Sequence, residues 1–415
     1  MNAEIEKSKQ LLQYGDTEGA LSILCNLLKK VSDLNDRAKV CSDIARIYIS
    51  KKNYTKAVEK LGDFFDDAKM MFFLDNIDEY IVENNKDRVK NILLNNFEIF
   101  KKRILLKSKP SSMLVNLTNK CNLRCIMCEV VKSDCVISDN MLSDIINHMK
   151  YLKLVTCLGG EVFLYDKFNI LVQNAKKFDT ELSVSTNGLL LSDNISMFEN
   201  MKVSVGVSVD GFDKDTYEKI RRNGNFDILT ENMAALSGLI QKESFKQVKT
   251  LLHMVIMKNN YKQIRKAFDF ALKYNFSILS FLKLNSAFQY MPNEQEMEYA
   301  INQIHQCMDI ADKEKYSIQI FTDPNLNVIR KNQKNLYNNV SLVQNELYVK
   351  CNVPWKNISI AVNGGVYFDC RSDCKKFEHL ETIEKSWNGL AIQKIRQAII
   401  DGNYIEPCKD CSIAC

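Results

Sequence analysis

The sequence predicts an α/β protein built on a parallel sheet of about six strands, with a helical segment before the sheet and a small cysteine-bearing segment after it. Three observations carry this. The first 107 residues show helical periodicity, few turn breakers and no proline. From Pro110 onward, short apolar runs alternate with helix-like stretches, the pattern of β–α units whose strands are buried on both faces. The last stretch, from about residue 346, changes again to short strands, one amphipathic helix near Leu390–Ile400 and a concentration of cysteines. A chain of 415 residues is long enough for two or three such units.

In the helical segment two stretches look alike, YGDTEGALSILCNLL from Tyr14 and KKNYTKAVEKLGDFF from Lys51. Each runs through a short turn to an alanine, Ala20 or Ala57, and then a leucine, Leu24 or Leu61. Ala45, Tyr48 and Tyr54 add the small and aromatic contacts of a tetratricopeptide-type helix pair, in which small residues let paired helices approach closely. A generic helical bundle fits the same pattern. The basic stretch KDRVKNILLNNFEIFKKRILLKSKP that follows is read as a helix whose charges face solvent.

The expected strands are Met113–Leu117, Leu154–Leu158, Leu182–Ser185, Val203–Val209, Thr250–Met257 and Ile278–Leu282, with helices such as Ser138–Lys153 and Tyr261–Tyr274 between them. No apolar run is long enough to span a bilayer, and the charged start MNAEIEKSKQ has no signal-peptide core, so a cytoplasmic home and no membrane partner are expected. The formal charge of +5, from 56 basic and 51 acidic residues, is too mild to argue for nucleic acid.

Fourteen cysteines in a reducing compartment point to metal or redox chemistry rather than disulfides. Five of them, Cys25, Cys41, Cys135, Cys157 and Cys307, are scattered and read as packed core residues. The other nine form two groups. In LTNKCNLRCIMC, Cys121, Cys125 and Cys128 follow the first strand at CxxxCxxC spacing. Three thiolates hold three irons of a cubane and leave the fourth open to an outside ligand. A zinc site, the bland alternative, needs a fourth ligand close by.

The triplet, with Met127 before its last cysteine, resembles the radical S-adenosylmethionine (SAM) superfamily, and the next strand ends extend the resemblance over residues 110–290. It implies a partial (β/α)6 TIM-like barrel, with Cys121, Cys125 and Cys128 binding a [4Fe–4S] cluster that in turn binds SAM. LGGEV supplies Gly159, Gly160 and Glu161 for the methionyl amine, with Val162 standing where the family usually has proline. STNG supplies Ser185 and Asn187 for the ribose and methionyl carboxylate. SVDG supplies Ser208 and Asp210, Arg221 in YEKIRR matches an arginine that pairs with a carboxylate, and Val255 and Asn259 stand where adenine usually packs. On this reading Gly160→Val weakens SAM binding and leaves the cluster intact. The mechanism implied is one-electron cleavage of SAM to methionine and a 5′-deoxyadenosyl radical, which abstracts hydrogen from substrate.

The C-terminal cysteines resemble the twitch or SPASM extensions of the same superfamily. Cys351, Cys370, Cys408 and Cys411 are the implied ligands of one auxiliary [4Fe–4S] cluster, with Cys374 or Cys415 as possible replacements for one of them and structural zinc as the alternative. Units are expected at 1–107, 108–345 and 346–415. The implied activity is oxidation of a small-molecule or peptide substrate by a radical SAM oxidoreductase. Electrons would come from a reductant such as flavodoxin or ferredoxin, and the N-terminal helices would offer a surface for a protein partner. The alternatives are maturation of a ribosomal peptide and, in a different class, a non-catalytic zinc-binding interaction protein.

Overall fold

A computed structural model describes residues 1–323, 326, 349, 351–367 and 382–404. The chain opens with six helices, α1 Asn2–Gln13, α2 Thr17–Lys30, α3 Leu34–Ser50, α4 Tyr54–Gly62, α5 Asp67–Asp75 and α6 Lys86–Phe100. The two look-alike stretches are the turn and second helix of consecutive antiparallel pairs, α1/α2 and α3/α4. Asp16 and Asn53 cap the second helices by accepting backbone N–H bonds from Gly19 and Lys56. Ala20 and Ala57 are fully buried where the paired helices touch. Two small cores result, one around Leu24, Val40 and Ile44, the other around Ile49, Leu61, Leu93 and Phe97.

The sheet follows. Its strands are β1 Ser112–Thr118, β3 Leu154–Gly159, β4 Glu181–Thr186, β5 Val203–Ser208, β7 Val248–Ile256, β8 Ile278–Lys283 and β9 Gln319–Thr322, joined by the later strands β10 Asn357–Ile360 and β11 Val366–Tyr367. Among the described residues the order is β11-β10-β1-β3-β4-β5-β7-β8-β9, parallel throughout except for the β10–β11 hairpin. Parallel pairing forces each return through a helix, and α7 Asp139–His148, α8 Phe168–Lys177, α10 Lys214–Ile220, α11 Phe226–Leu239, α12 Ile264–Lys273 and α13 Glu294–Lys313 fill these connections, with the short α9 Leu191–Asn194 between α8 and α10. All strand exits therefore open at one edge, where βα loops carry function. A separate two-residue ribbon pairs β2 Arg124–Cys125 with β6 Arg221–Arg222.

The six expected strands are all present within two residues of their expected bounds, and β9 and β10 lengthen the sheet at its two edges. Alternation separates the faces. In β4, Leu182, Val184 and Thr186 are buried, while Ser183 and Ser185 lie half-buried on the opposite face. Three sequence expectations are corrected. The helix after Ser138 stops at His148, because Met149 and Leu152 turn into the core beneath β3. Cys135 is exposed, since its loop uses the backbone carbonyl, not the thiol, to bind Asn119 N–H at 2.9 Å. Arg88 on α6 is not a solvated charge: it donates to the Asp179 carbonyl at 2.8 Å and to that of Phe178, docking the helical segment on the barrel.

The C-terminal segment shares the barrel's hydrophobic core through Trp355 and Trp387. Arg396, in the helix Leu390–Asp401, is fully buried and stacks on Trp387, its guanidinium carbon 4.8 Å from the ring. It donates to the carbonyls of Pro354 (2.9 Å), Ile104 (2.8 Å) and Trp387 (3.0 Å), tying together segments distant in sequence. Burial pulls its pKa down to about 9, against the opposing pull of Glu98. Arg396→Leu strands these carbonyls, and a hydrogen bond to a charged donor contributes roughly 1.5–3 kcal/mol. A loss of about 3 kcal/mol or more in urea unfolding is expected. A loss below about 1 kcal/mol would show that the network is incidental. No helix among the described residues is long and apolar enough to cross a membrane.

Candidate active site

The cysteine loop leaves β1 and folds back over the strand exits. Lys120 N–H donates to the Thr118 hydroxyl at 3.0 Å, and Ile126 N–H donates to the Ile220 carbonyl at 2.9 Å. The exposed Arg124 spans the loop from outside, donating to the carbonyls of Cys121 and Leu123, both at 2.8 Å. Cys121 and Cys125 are thereby half-buried, and Cys128 is exposed. The apolar members of the loop, Ile126 and Met127, pack with Ile220, Val255, Met257 and Leu284.

Gly159 and Gly160 sit directly under this loop. Gly160 N–H donates to the Thr118 carbonyl at 2.6 Å, and Glu161 N–H to the Lys120 carbonyl at 2.8 Å. Gly159 holds φ at +136°, and a Cβ on Gly160 would lie 2.2 Å from the Lys120 carbonyl oxygen. The backbone that Gly159 must clear is that of Thr118 at the end of β1, and the backbone that Gly160 must clear is that of the cysteine loop, so Gly160 touches the loop as well as any cofactor beside it.

Glu161 is fully buried and ties three strand exits together. Its carboxylate accepts from the Thr186 hydroxyl and from Asn187 N–H, each at 2.8 Å, and the Asn187 side chain donates to Asn122 in the cysteine loop at 2.8 Å. Burial pushes its pKa up, and these donors together with Arg221 oppose the shift. Asp210, also fully buried, accepts from Val255 N–H at 2.8 Å and pairs with Arg221 at 2.6 Å. Its backbone carbonyl accepts from the Asn260 side chain at 2.9 Å. Arg221 in turn lies 4.0 Å from the Cys125 sulfur. Lys132 brings a second cation to the triplet, 3.2 Å from the Cys128 sulfur.

The structure thus gathers Cys121, Cys125, Cys128, Gly159, Gly160, Glu161, Asn187, Asp210, Arg221 and Val255 at one edge of the sheet. Ser185 and Ser208 end their strands half-buried nearby. Asn259 is exposed, and its buried neighbour Asn260 makes the contacts instead. Sequence reasoning also missed Asn122, Lys132 and His253. The inner wall is notched at Gly206, where a Cβ would lie 2.5 Å from His253 Nε2. His253 Nδ1 is buried without a hydrogen-bond partner among the described residues, and burial lowers the ring's pKa to about 4, keeping it neutral. Cys351 is buried; the other predicted auxiliary ligands, Cys370, Cys408 and Cys411, and the alternatives Cys374 and Cys415, lie outside the described residues.

The donor set suits a cluster. Three free thiols come from one short loop, with cations facing two of the sulfurs, as an anionic metal–thiolate centre requires.

Comparison with known proteins agrees with this geometry. Residues 115–271, within the barrel, match the model of the radical SAM superfamily. A GTP 3′,8-cyclase of Limosilactobacillus fermentum is 27% identical over 155 residues, which are 35% of this chain and 45% of that protein. The chain thus spans about half the length of the curated relatives it matches. Among solved structures, SuiB of Streptococcus suis bound to S-adenosylmethionine superposes with a TM-score of 0.58 at 14% identity, covering 90% of this chain and 86% of that one. The same protein bound to its precursor peptide SuiA gives 0.56 at 15% identity, covering 85% and 83%. At this identity the likeness is one of fold.

Proposed function

We propose that this chain is a cytoplasmic radical SAM enzyme that holds a [4Fe–4S] cluster on Cys121, Cys125 and Cys128 and abstracts hydrogen from a substrate. The observation that carries the reading is the stapling of the cysteine loop to three further strand exits through Gly160, Glu161, Asn187 and the Cys125–Arg221 ribbon. When bound, the cluster and SAM supply one electron and a 5′-deoxyadenosyl radical. The chain's own residues do the rest. The backbone at Gly159 and Gly160 and the side chains of Glu161, Ser185, Asn187, Ser208 and Asp210 shape the cofactor's cradle, with Val255 as an apolar wall. His253, opposite Ser208 in the β5–β7 register, adds a neutral ring to the same wall.

The reaction class proposed is a two-electron oxidation. A peptide substrate is favoured among the alternatives, because the fold likeness to SuiB, a protein solved with a precursor peptide, extends over the flanking segments as well as the barrel. The cyclase relatives match only within a part of the chain, so their printed reaction on GTP is not carried over. The N-terminal helix pairs are proposed as a tetratricopeptide-like surface for a protein partner, and a flavodoxin or ferredoxin as the electron source. Anaerobic reconstitution with iron and sulfide counting, followed by an assay for 5′-deoxyadenosine under dithionite, tests the reading. A chain that binds zinc and cleaves no SAM is the interaction protein instead.

Cys351, Cys370, Cys408 and Cys411 are proposed to hold the auxiliary cluster of a twitch- or SPASM-like segment, which takes the electron left on substrate. Replacing Cys408 and Cys411 by Ala should roughly halve the iron content while SAM cleavage at the first cluster continues. Substrate product should fall much further than 5′-deoxyadenosine. Thermal melting must accompany the assay, since a metal-held segment unfolds without its metal. A folded double variant with wild-type product formation would make the C-terminal metal structural.

A further inference from the structure

We propose that Arg221 is a positioning residue for the cluster rather than a ligand of the cofactor's carboxylate: it tunes the cluster's reduction potential through the Cys125 sulfur, with Asp210 as its restraint. The inference rests on the reading of the triplet as a cluster site.

Both Nη groups of the guanidinium are engaged by the chain's own residues, and its Nε is buried without a hydrogen-bond partner among the described residues. Its Nη2 is 2.6 Å from the Asp210 carboxylate, and its Nη1 faces the Cys125 sulfur at 4.0 Å. Both side chains of the ion pair are buried, 7% and 0% exposed, so solvent does not screen them. The backbone fixes the pair in place. Cys125 and Arg221 are directly opposed in the two-residue ribbon, and Ile126 N–H closes it onto the Ile220 carbonyl. Asp210 is pinned by Val255 N–H and by Asn260, so it cannot follow Arg221 toward another partner. A cation held beside one thiolate, with its counter-charge anchored by the backbone, presents a fixed charge distribution to the cluster ligand.

Adding an electron to a thiolate-bound cluster puts further negative charge on its sulfurs. A positive group facing a sulfur stabilises the reduced state and raises the potential, and an anion opposes it. Lys132 makes the same contact at Cys128, but on the exposed side, where water and salt weaken it.

The test is an EPR-monitored redox titration of the anaerobically reconstituted enzyme beside SAM binding by equilibrium dialysis. Arg221→Gln should shift the midpoint to more negative values and Asp210→Asn to less negative ones. Arg221→Lys should shift it in the same direction as Arg221→Gln but less, and Lys132→Gln should move it least. SAM affinity in Arg221→Gln should stay within about threefold, whereas loss of a charge-assisted carboxylate contact costs roughly tenfold or more. Opposite shifts for the two partners are a signature that simple misfolding does not produce. Should Arg221→Gln fail to fold, Arg221→Lys and Asp210→Asn carry the comparison. An unmoved midpoint with SAM affinity lost tenfold overturns the inference and makes Arg221 a cofactor ligand. Shifts of the same sign for Arg221 and Asp210 variants overturn it also. A wild-type chain that takes up no cluster overturns the enzyme reading itself, before any variant is compared.

Discussion

Replacing Cys121, Cys125 and Cys128 together by alanine should remove about four irons per chain and abolish 5′-deoxyadenosine formation, while the chain still folds. The separation of these effects follows from where the loop gets its shape. Its backbone is held by Lys120 on Thr118, Ile126 on Ile220 and Arg124 on Cys121 and Leu123, none of which needs a thiol, and the substitution removes the 3.4 Å bond from Leu123 N–H to the Cys121 sulfur. Cys128 is exposed, and Cys121 and Cys125 are half-buried, so truncation opens little of the core. Unfolding free energy of the metal-free variant should stay within about 1 kcal/mol of the metal-free wild type. Measured retention of 5′-deoxyadenosine formation in the triple variant under dithionite would sink the assignment.

Much of this site was legible in the sequence because its parts lie at strand ends, where the apolar run stops and glycine or a small polar residue begins. GGE at the end of β3, STNG across the end of β4 and the aspartate two residues beyond β5 all fall there, and the triplet comes soon after β1. The parts that were not legible depend on long-range contacts. The strand β10 pairs with β1 across more than two hundred residues of sequence, and a four-residue run gives no period strong enough to announce it. The β2–β6 ribbon has two residues a side, so nothing in RC or RR predicts that Cys125 faces Arg221. Arg88 reads as a surface charge and nothing in the sequence singles out Arg396, yet each finds backbone carbonyls that only the folded chain brings near. Of two adjacent asparagines, Asn259 and Asn260, the buried one depends on the turn after β7, and sequence alone offered no way to choose.

Gly160→Val is the substitution where the folded geometry changes the expected outcome most. Viewed from the sequence, the glycine admits cofactor, and valine there leaves the cluster untouched. The structure puts the Lys120 carbonyl oxygen 2.2 Å from the position of the new Cβ, well inside any real contact, and that oxygen belongs to the residue before Cys121. No rotamer relieves the clash, because the obstacle is backbone on both sides. Either the loop lifts, breaking the 2.8 Å bond from Glu161 N–H to Lys120, or β3 withdraws and breaks the 2.6 Å bond from Gly160 N–H to Thr118. Lifting the loop also pulls Asn122 away from Asn187 and carries Cys121 out of register with Cys125, which the ribbon holds in place. The variant should therefore lose most of its iron together with its SAM binding, with a stability cost on the order of 3 kcal/mol. Iron content, SAM dialysis and urea unfolding on one preparation decide the matter. Full iron with SAM binding alone impaired would return Gly160 to a role toward the cofactor only, and a variant with both intact would show that the loop yields at no cost.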